Sequence, residues 1–144
     1  MKMLDLFCGT KSVSKEFEAA GWETYTVDWN KDFNPTLCAD IGELSKEDII
    51  SLCGGVPDVI WLSPDCTSYS IAGIRHHRTK NPVTGALEPI SDYAKFCDGV
   101  NAHIIEVVKE LAEEGSIFFM ENPRGGFRKM DFVNGLDRYT VTYC

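Results

Sequence analysis

Short apolar runs recur along this chain, and each breaks off at a small, acidic or proline residue. Met3–Phe7, interrupted only by Asp5, gives way to Cys8-Gly9-Thr10, and Thr24–Val27 ends at Asp28-Trp29-Asn30. Leu37–Ala39 ends at Asp40, Val59–Leu62 runs into Ser63-Pro64-Asp65-Cys66, and Ser116–Met120 ends at Glu121-Asn122-Pro123. Runs of this length bounded by turn residues read as buried strands. Helical patterns lie between them. Val13, Phe17 and Ala20 recur at helical spacing in Ser12–Ala20, with Gly21 placed to end that helix. Ser45–Leu52 opens with a serine and an acid three residues on, a capping box, and Gly54-Gly55 closes it. From Tyr93 to Glu113, the residues Tyr93, Phe96, Val100, Ile104, Val107 and Leu111 form one stripe and predict the longest helix. Strand and helix in alternation predict an α/β fold with a doubly wound, mostly parallel sheet. Such sheets bind ligands at the carboxyl ends of their strands, near the switch in strand order. The residues just after each strand therefore carry the functional information.

Two segments fall outside that rhythm. Residues 67–91 contain Gly73, Pro82, Gly85 and Pro89 without clean periodicity, and are expected to form a long structureless loop that is mobile until substrate binds. Tyr139–Tyr143 reads as a sixth strand, on which the chain stops; this suggests a fold incomplete at its C-terminus.

Residues 1–144 are expected to form one domain, with 44% hydrophobic and 25% charged residues placing the chain among globular proteins. No apolar run is long enough to cross a membrane, and Asp5 sits where a signal peptide needs apolar residues, so a cytoplasmic location is expected. The net charge of −8 argues against nucleic-acid binding by bulk electrostatics and leaves it to a local basic patch. Six cysteines are scattered without a C-x-x-C pair, and none has zinc-ligand spacing to His76, His77 or His103, so neither a disulfide framework nor a metal is expected.

At the first turn, Gly9 lets backbone approach a ligand while the helix that follows offers free N–H groups. Asp28 ends the second strand, where an acid can accept from both hydroxyls of a ribose. Trp29 can stack on a base and Asp40 can accept from its amine, which is a nucleoside-cofactor layout. The G-x-G-x-x-G run of nicotinamide enzymes is missing. The plainer alternative is that Gly9 only makes a tight turn and Asp28 only caps a loop. Cys66 lies between a strand end and the long loop, accessible as a nucleophile needs to be, whereas Cys38, Cys53 and Cys97 read as core cysteines. Glu121 ends the strand expected beside that of Cys66, where a carboxyl group can serve as donor or general acid.

These residues also carry a resemblance. Asp5-Leu6-Phe7-Cys8-Gly9 resembles the D-L-F-x-G cofactor motif of the cytosine-5 DNA methyltransferases. Pro64-x-Cys66-x-x-Tyr69-Ser70 is similar to their P-P-C-Q-x-F-S nucleophile motif, and Glu121-Asn122 to their E-N-V motif, in the same order. The resemblance implies a class I, Rossmann-like methyltransferase sheet that uses S-adenosylmethionine and methylates carbon 5 of cytosine in DNA, in a bacterium or phage-infected host. It implies Cys66, Glu121 and Asn122 as catalytic residues, and Phe7, Gly9, Thr10, Asp28, Trp29, Asp40 and Pro64 as the cofactor site. DNA contacts would fall to Arg75, Arg78 and Lys80 on the loop, with His76 and His77, and to Arg124, Arg128 and Lys129 after the Glu-Asn pair. Solvated charged faces are the alternative for both runs.

The chain departs from the family pattern at Lys11, where a second glycine is usual, and at Asp65 and Thr67, which flank Cys66 in place of proline and glutamine. A carboxylate at about 6 Å in water opposes a thiolate by ~0.7 kcal/mol, a modest handicap. The family's arginine motif, target-recognition domain and last cofactor motif find no room, so a partner or a further C-terminal segment would supply recognition. Two other functions stay open: an inactive or incomplete relative that binds cofactor or DNA, and a cysteine-dependent enzyme acting on RNA or a free nucleotide.

Overall fold

The computed structural model describes residues 1–142. Five parallel strands form the main sheet: β1 (Lys2–Leu6), β2 (Glu23–Asp28), β3 (Leu37–Cys38), β4 (Val59–Leu62) and β7 (Ile117–Met120), in the order β3-β2-β1-β4-β7. Leu4 of β1 lies opposite Tyr25 of β2 on one side and Ile60 of β4 on the other, and Leu62 lies opposite Met120 of β7. The order reverses between β1 and β4, which makes the crevice at their carboxyl ends the switch point. β1 is central and buried on both faces, which is why Met3, Leu4 and Leu6 all have no exposed surface.

Helix α1 (Ser12–Ala19) follows β1, α2 (Lys46–Cys53) follows β3, and α4 (Asp92–Glu113) precedes β7. Ser45 and Asp48 form the expected capping box on α2, and Gly54 ends that helix in the left-handed region at φ 61°. Ile104, Val107, Val108 and Leu111 of α4 join Ile49 of α2 over Leu4, Leu6, Ile60 and Leu62 to form the main core. Each such side chain contributes roughly 1.5–3 kcal/mol by leaving water. Nearer its start, α4 turns Cys97 and Ile105 to a second cluster with Tyr69, Phe127, Met130 and Val133. That packing rotates Tyr93 and Phe96 into solvent, so the predicted stripe holds only from Val100 onward. No helix among the described residues is long and apolar enough to cross a membrane.

The structure corrects two further expectations. Residues 67–91 are not structureless: they carry helix α3 (Ile74–His77) and an antiparallel hairpin of β5 (Arg78–Lys80) and β6 (Leu87–Pro89). Asn81 closes the hairpin by accepting the Val83 and Thr84 N–H groups at 2.8 and 3.0 Å, a turn device that leaves no hydrophobic period to read. Residues 139–142 form no strand, and their side chains are exposed; Tyr143, the last residue of that predicted strand, lies outside the described residues.

Candidate active site

Between β1 and α1 the chain winds tightly, with Phe7, Gly9 and Lys11 all at left-handed φ (60°, 47° and 62°). Lys11 thus adopts the backbone that a glycine would hold without strain, which explains what a glycine does at this position. The φ of Gly9 favours glycine, and a Cβ there would meet nothing within 4 Å, so the space beside it is open. Asp28 is buried; it accepts the Gly9 N–H at 3.0 Å on one oxygen and the Asn30 N–H at 2.9 Å on the other. A carboxylate has roughly four acceptor positions, so half remain for a ligand. Trp29, next in sequence, is 75% exposed. Asp40 and Thr10 are exposed, and Asp40 caps the turn Ile41–Glu43 through the Gly42 N–H at 2.8 Å. Open space, unused carboxylate acceptors and a free indole fit a nucleoside-bearing cofactor.

Asp5, which the sequence reading did not assign to the site, is 2% exposed. Burial above all, with the Asp28 charge adding, pushes its pKa up to about 6 against the opposing Ser14 hydrogen bonds. The same surroundings act on Cys8: burial, then the charges of Asp5 and Asp28, push its thiol up to about 11. Burial pushes Cys53 up to about 11 as well and raises Cys97. Burial thus disfavours the thiolate at all three positions. Cys38, expected among the core cysteines, is corrected: on the short strand β3 at the sheet edge it is exposed, and it donates to the Trp29 carbonyl at 3.3 Å.

Cys66 is half-buried, four residues past the end of β4. Its carbonyl accepts the Tyr69 and Ser70 N–H groups at 3.0 and 2.7 Å, so the thiol opens a single helical turn. Asp65 caps that turn by accepting the Thr67 N–H at 2.5 Å. Partial burial raises Asp65, but its bonds from Thr67 and Tyr93, with His77 nearby, outweigh this and hold the carboxyl below the usual range. Its charge is thus engaged by the turn and by α4.

The parallel ladder brings the second motif alongside. The Glu121 N–H continues the β4–β7 pairing onto the Leu62 carbonyl at 2.9 Å, and Asn122 Nδ2 donates to the buried Pro64 carbonyl at 2.9 Å. Asn122 Oδ1 is buried without a partner, a polar atom left for something that enters the crevice.

The basic residues separate into two groups. Arg75, Lys80, Arg124 and Lys129 are exposed, as is His76, while Arg128 is half-buried. Arg124, Arg128 and Lys129 line a cleft of about 490 Å³ with Ile71, Ile74 and Leu87. His77 is bound to Ser91 at 2.8 Å. Arg78, expected to face DNA, is corrected: its side chain is buried and pairs with Asp98 at 2.6 Å. Sequence reasoning missed Asp98 and Asn101 on α4, which reach the Cys66 turn, and the close approach of Gly125. A Cβ at Gly125 would fall 2.4 Å from the Tyr69 carbonyl, and the Gly126 N–H binds that same oxygen at 2.7 Å. The adjacent Gly125-Gly126 after Glu-Asn-Pro was the signal available in the sequence.

A sheet ordered β3-β2-β1-β4-β7, with a nucleoside-type crevice at its switch point, defines a Rossmann-like methyltransferase fold. Residues 1–131 match the family model for C-5 cytosine-specific DNA methylase, and the chain belongs to that family, whose members take their methyl group from S-adenosylmethionine. No curated relative matches the chain.

Proposed function

We propose that this chain methylates carbon 5 of cytosine in DNA through a covalent adduct on Cys66. The observation that carries the reading is the Asn122–Pro64 bond, together with the Glu121–Leu62 pairing, which tie the Glu-Asn pair to the segment that leads into the Cys66 turn. The cytosine leaves the duplex and enters the crevice. The Cys66 sulfur bonds to carbon 6, while Glu121 donates a proton or hydrogen bond to ring nitrogen 3, so electron density collects at carbon 5. Phe7, Gly9, Thr10, Asp28, Trp29, Asp40 and Pro64 would hold S-adenosylmethionine, whose sulfonium would supply the methyl group to carbon 5 and leave as the neutral thioether. Loss of the carbon 5 proton to a base then expels the Cys66 thiolate and restores the ring. Two accessible steps replace one inaccessible step, which is the use of a covalent intermediate. Asn122 keeps the strand end in place through Pro64. Arg75, Lys80, Arg124, Arg128 and Lys129 contact the phosphates, a local patch on an acidic chain, so binding is weak and falls with salt.

Tritiated methyl transfer to duplex DNA, and trapping on 5-fluorocytosine DNA with S-adenosylmethionine, test the reading. Cys66→Ala is expected to lose both activities while binding S-adenosylmethionine within twofold of wild type. A trapped adduct mapped to any other cysteine overturns it.

A further inference from the structure

The turn that carries Cys66 is held by a guanidinium that no step of the proposed chemistry touches. Arg78 opens β5, and its side chain has no exposed surface. Arginine has five N–H donors, and here all five have partners. Nε donates to the Ser68 carbonyl at 2.9 Å, and one terminal nitrogen to Ser68 Oγ at 3.2 Å and Asp98 Oδ1 at 2.6 Å. The other terminal nitrogen donates to Asp98 Oδ2 at 2.9 Å and the Met130 sulfur at 3.4 Å. No donor is left for a phosphate or a base edge. The guanidinium also lies 4.2 Å over the Tyr69 ring, whose hydroxyl donates to Asp98 at 2.6 Å and accepts from Asn101 at 2.9 Å. Ser68 and Tyr69 are the second and third residues after Cys66 and have no exposed surface.

A single helical turn is marginal by itself, so something outside it must fix the direction of the sulfur. A forked, two-point bond to Asp98 sets orientation as a point charge cannot. We propose that Arg78, with Asp98, is a positioning residue for the Cys66 thiol, acting through Ser68 and Tyr69; this rests on the reading of Cys66 as the nucleophile. Arg78, which sequence reasoning gave to DNA, is on this account part of the frame of the nucleophile.

The test compares the whole chain with Arg78→Lys, which keeps the charge but loses the fork, and with Tyr69→Phe, which loses only the hydroxyl. Alkylation of Cys66 by iodoacetamide is read by peptide mapping against the exposed Cys38, and methyl transfer to duplex DNA is read in steady state. In folded Arg78→Lys the Cys66-to-Cys38 alkylation ratio should rise at least threefold, and kcat should fall about 10- to 100-fold with KM for DNA within twofold, the scale of a small misplacement. Tyr69→Phe should move both in the same direction by less, and it decides the matter if Arg78→Lys does not fold. An unchanged ratio in a folded variant overturns the proposal, since the pair would then only stabilise the fold. A raised KM with unchanged kcat also overturns it, by returning Arg78 to the DNA. If wild type transfers no methyl group, the proposed function fails separately, and the alkylation ratio still decides the role of Arg78.

Discussion

Around Asp28 the chain is held by main-chain donors: Gly9 and Asn30 each give an N–H to one carboxylate, and Trp29 stands free beside it. Around Cys66 the holding is done by buried side chains from three elements, with Arg78 and Asp98 meeting over Tyr69. On the proposed function, the first region would hold its cofactor through backbone that local turns already shape. The second must aim one atom, and it does so with a network that turns alone cannot supply. Substitutions in the first region should therefore act on affinity, and those in the second on rate.

The sharpest break in that comparison would come from Glu121. Glu121→Gln is expected to slow methyl transfer by about 10²–10⁴-fold, the range for loss of a general acid, with S-adenosylmethionine affinity unchanged in calorimetry. A fall in affinity instead of rate would merge the two regions.

Asp5 comes next, because it underlies the first region and titrates. Its pKa is raised from 3.8 to about 6, a difference of roughly 2 units, or about 3 kcal/mol. The folded state binds this proton more tightly than the unfolded state does. The stabilisation is thus complete below pH 3.8 and is lost as pH rises through about 6. Urea unfolding between pH 4 and 7 should show this slope in wild type, and Asp5→Asn, permanently neutral, should remove it. An identical slope in both proteins would assign it to other groups.

Asp28→Ala should weaken S-adenosylmethionine binding by ~1.5–3 kcal/mol, the scale of hydrogen bonds to a charged group, and leave the alkylation of Cys66 relative to Cys38 as in wild type. The smallest effect is expected at Lys11. Lys11→Gly relieves a left-handed residue but loosens the unfolded chain and removes the bond from Lys11 Nζ to the Asn34 carbonyl, so stability should stay within about 1 kcal/mol. A larger loss would mean that the lysine side chain, and not the backbone, shapes the first region.

What could be read in advance divides along the same line. The main-sheet strands, the capping box at Ser45 and the order of the turns that follow the strands were legible because each is written in a few neighbouring residues. Gly9, Asp28 and Cys66 follow strand ends, so strand reading alone located them. The hairpin of β5 and β6 was not legible, because Asn81 closes it with side-chain bonds and Arg78 ties it to partners distant in sequence. Arg78 itself was misread, since an arginine among Arg75, His76, His77 and Lys80 gives no local sign that its partner is Asp98, on the far side of the hairpin. The raised pKa of Asp5 was hidden for the same reason: it depends on enclosure by a sheet not yet assembled.

The closeness of Gly125 to the Tyr69 carbonyl also limits how this protein can change. Arg124, Arg128 and Lys129 line their cleft with side chains that can be exchanged one at a time, so the charge and reach of that surface are free to drift. Residue 125 has no such freedom: the smallest added carbon would collide with the backbone of the Cys66 turn. Diversification of the basic cleft is therefore open on both sides of a position at which only hydrogen fits.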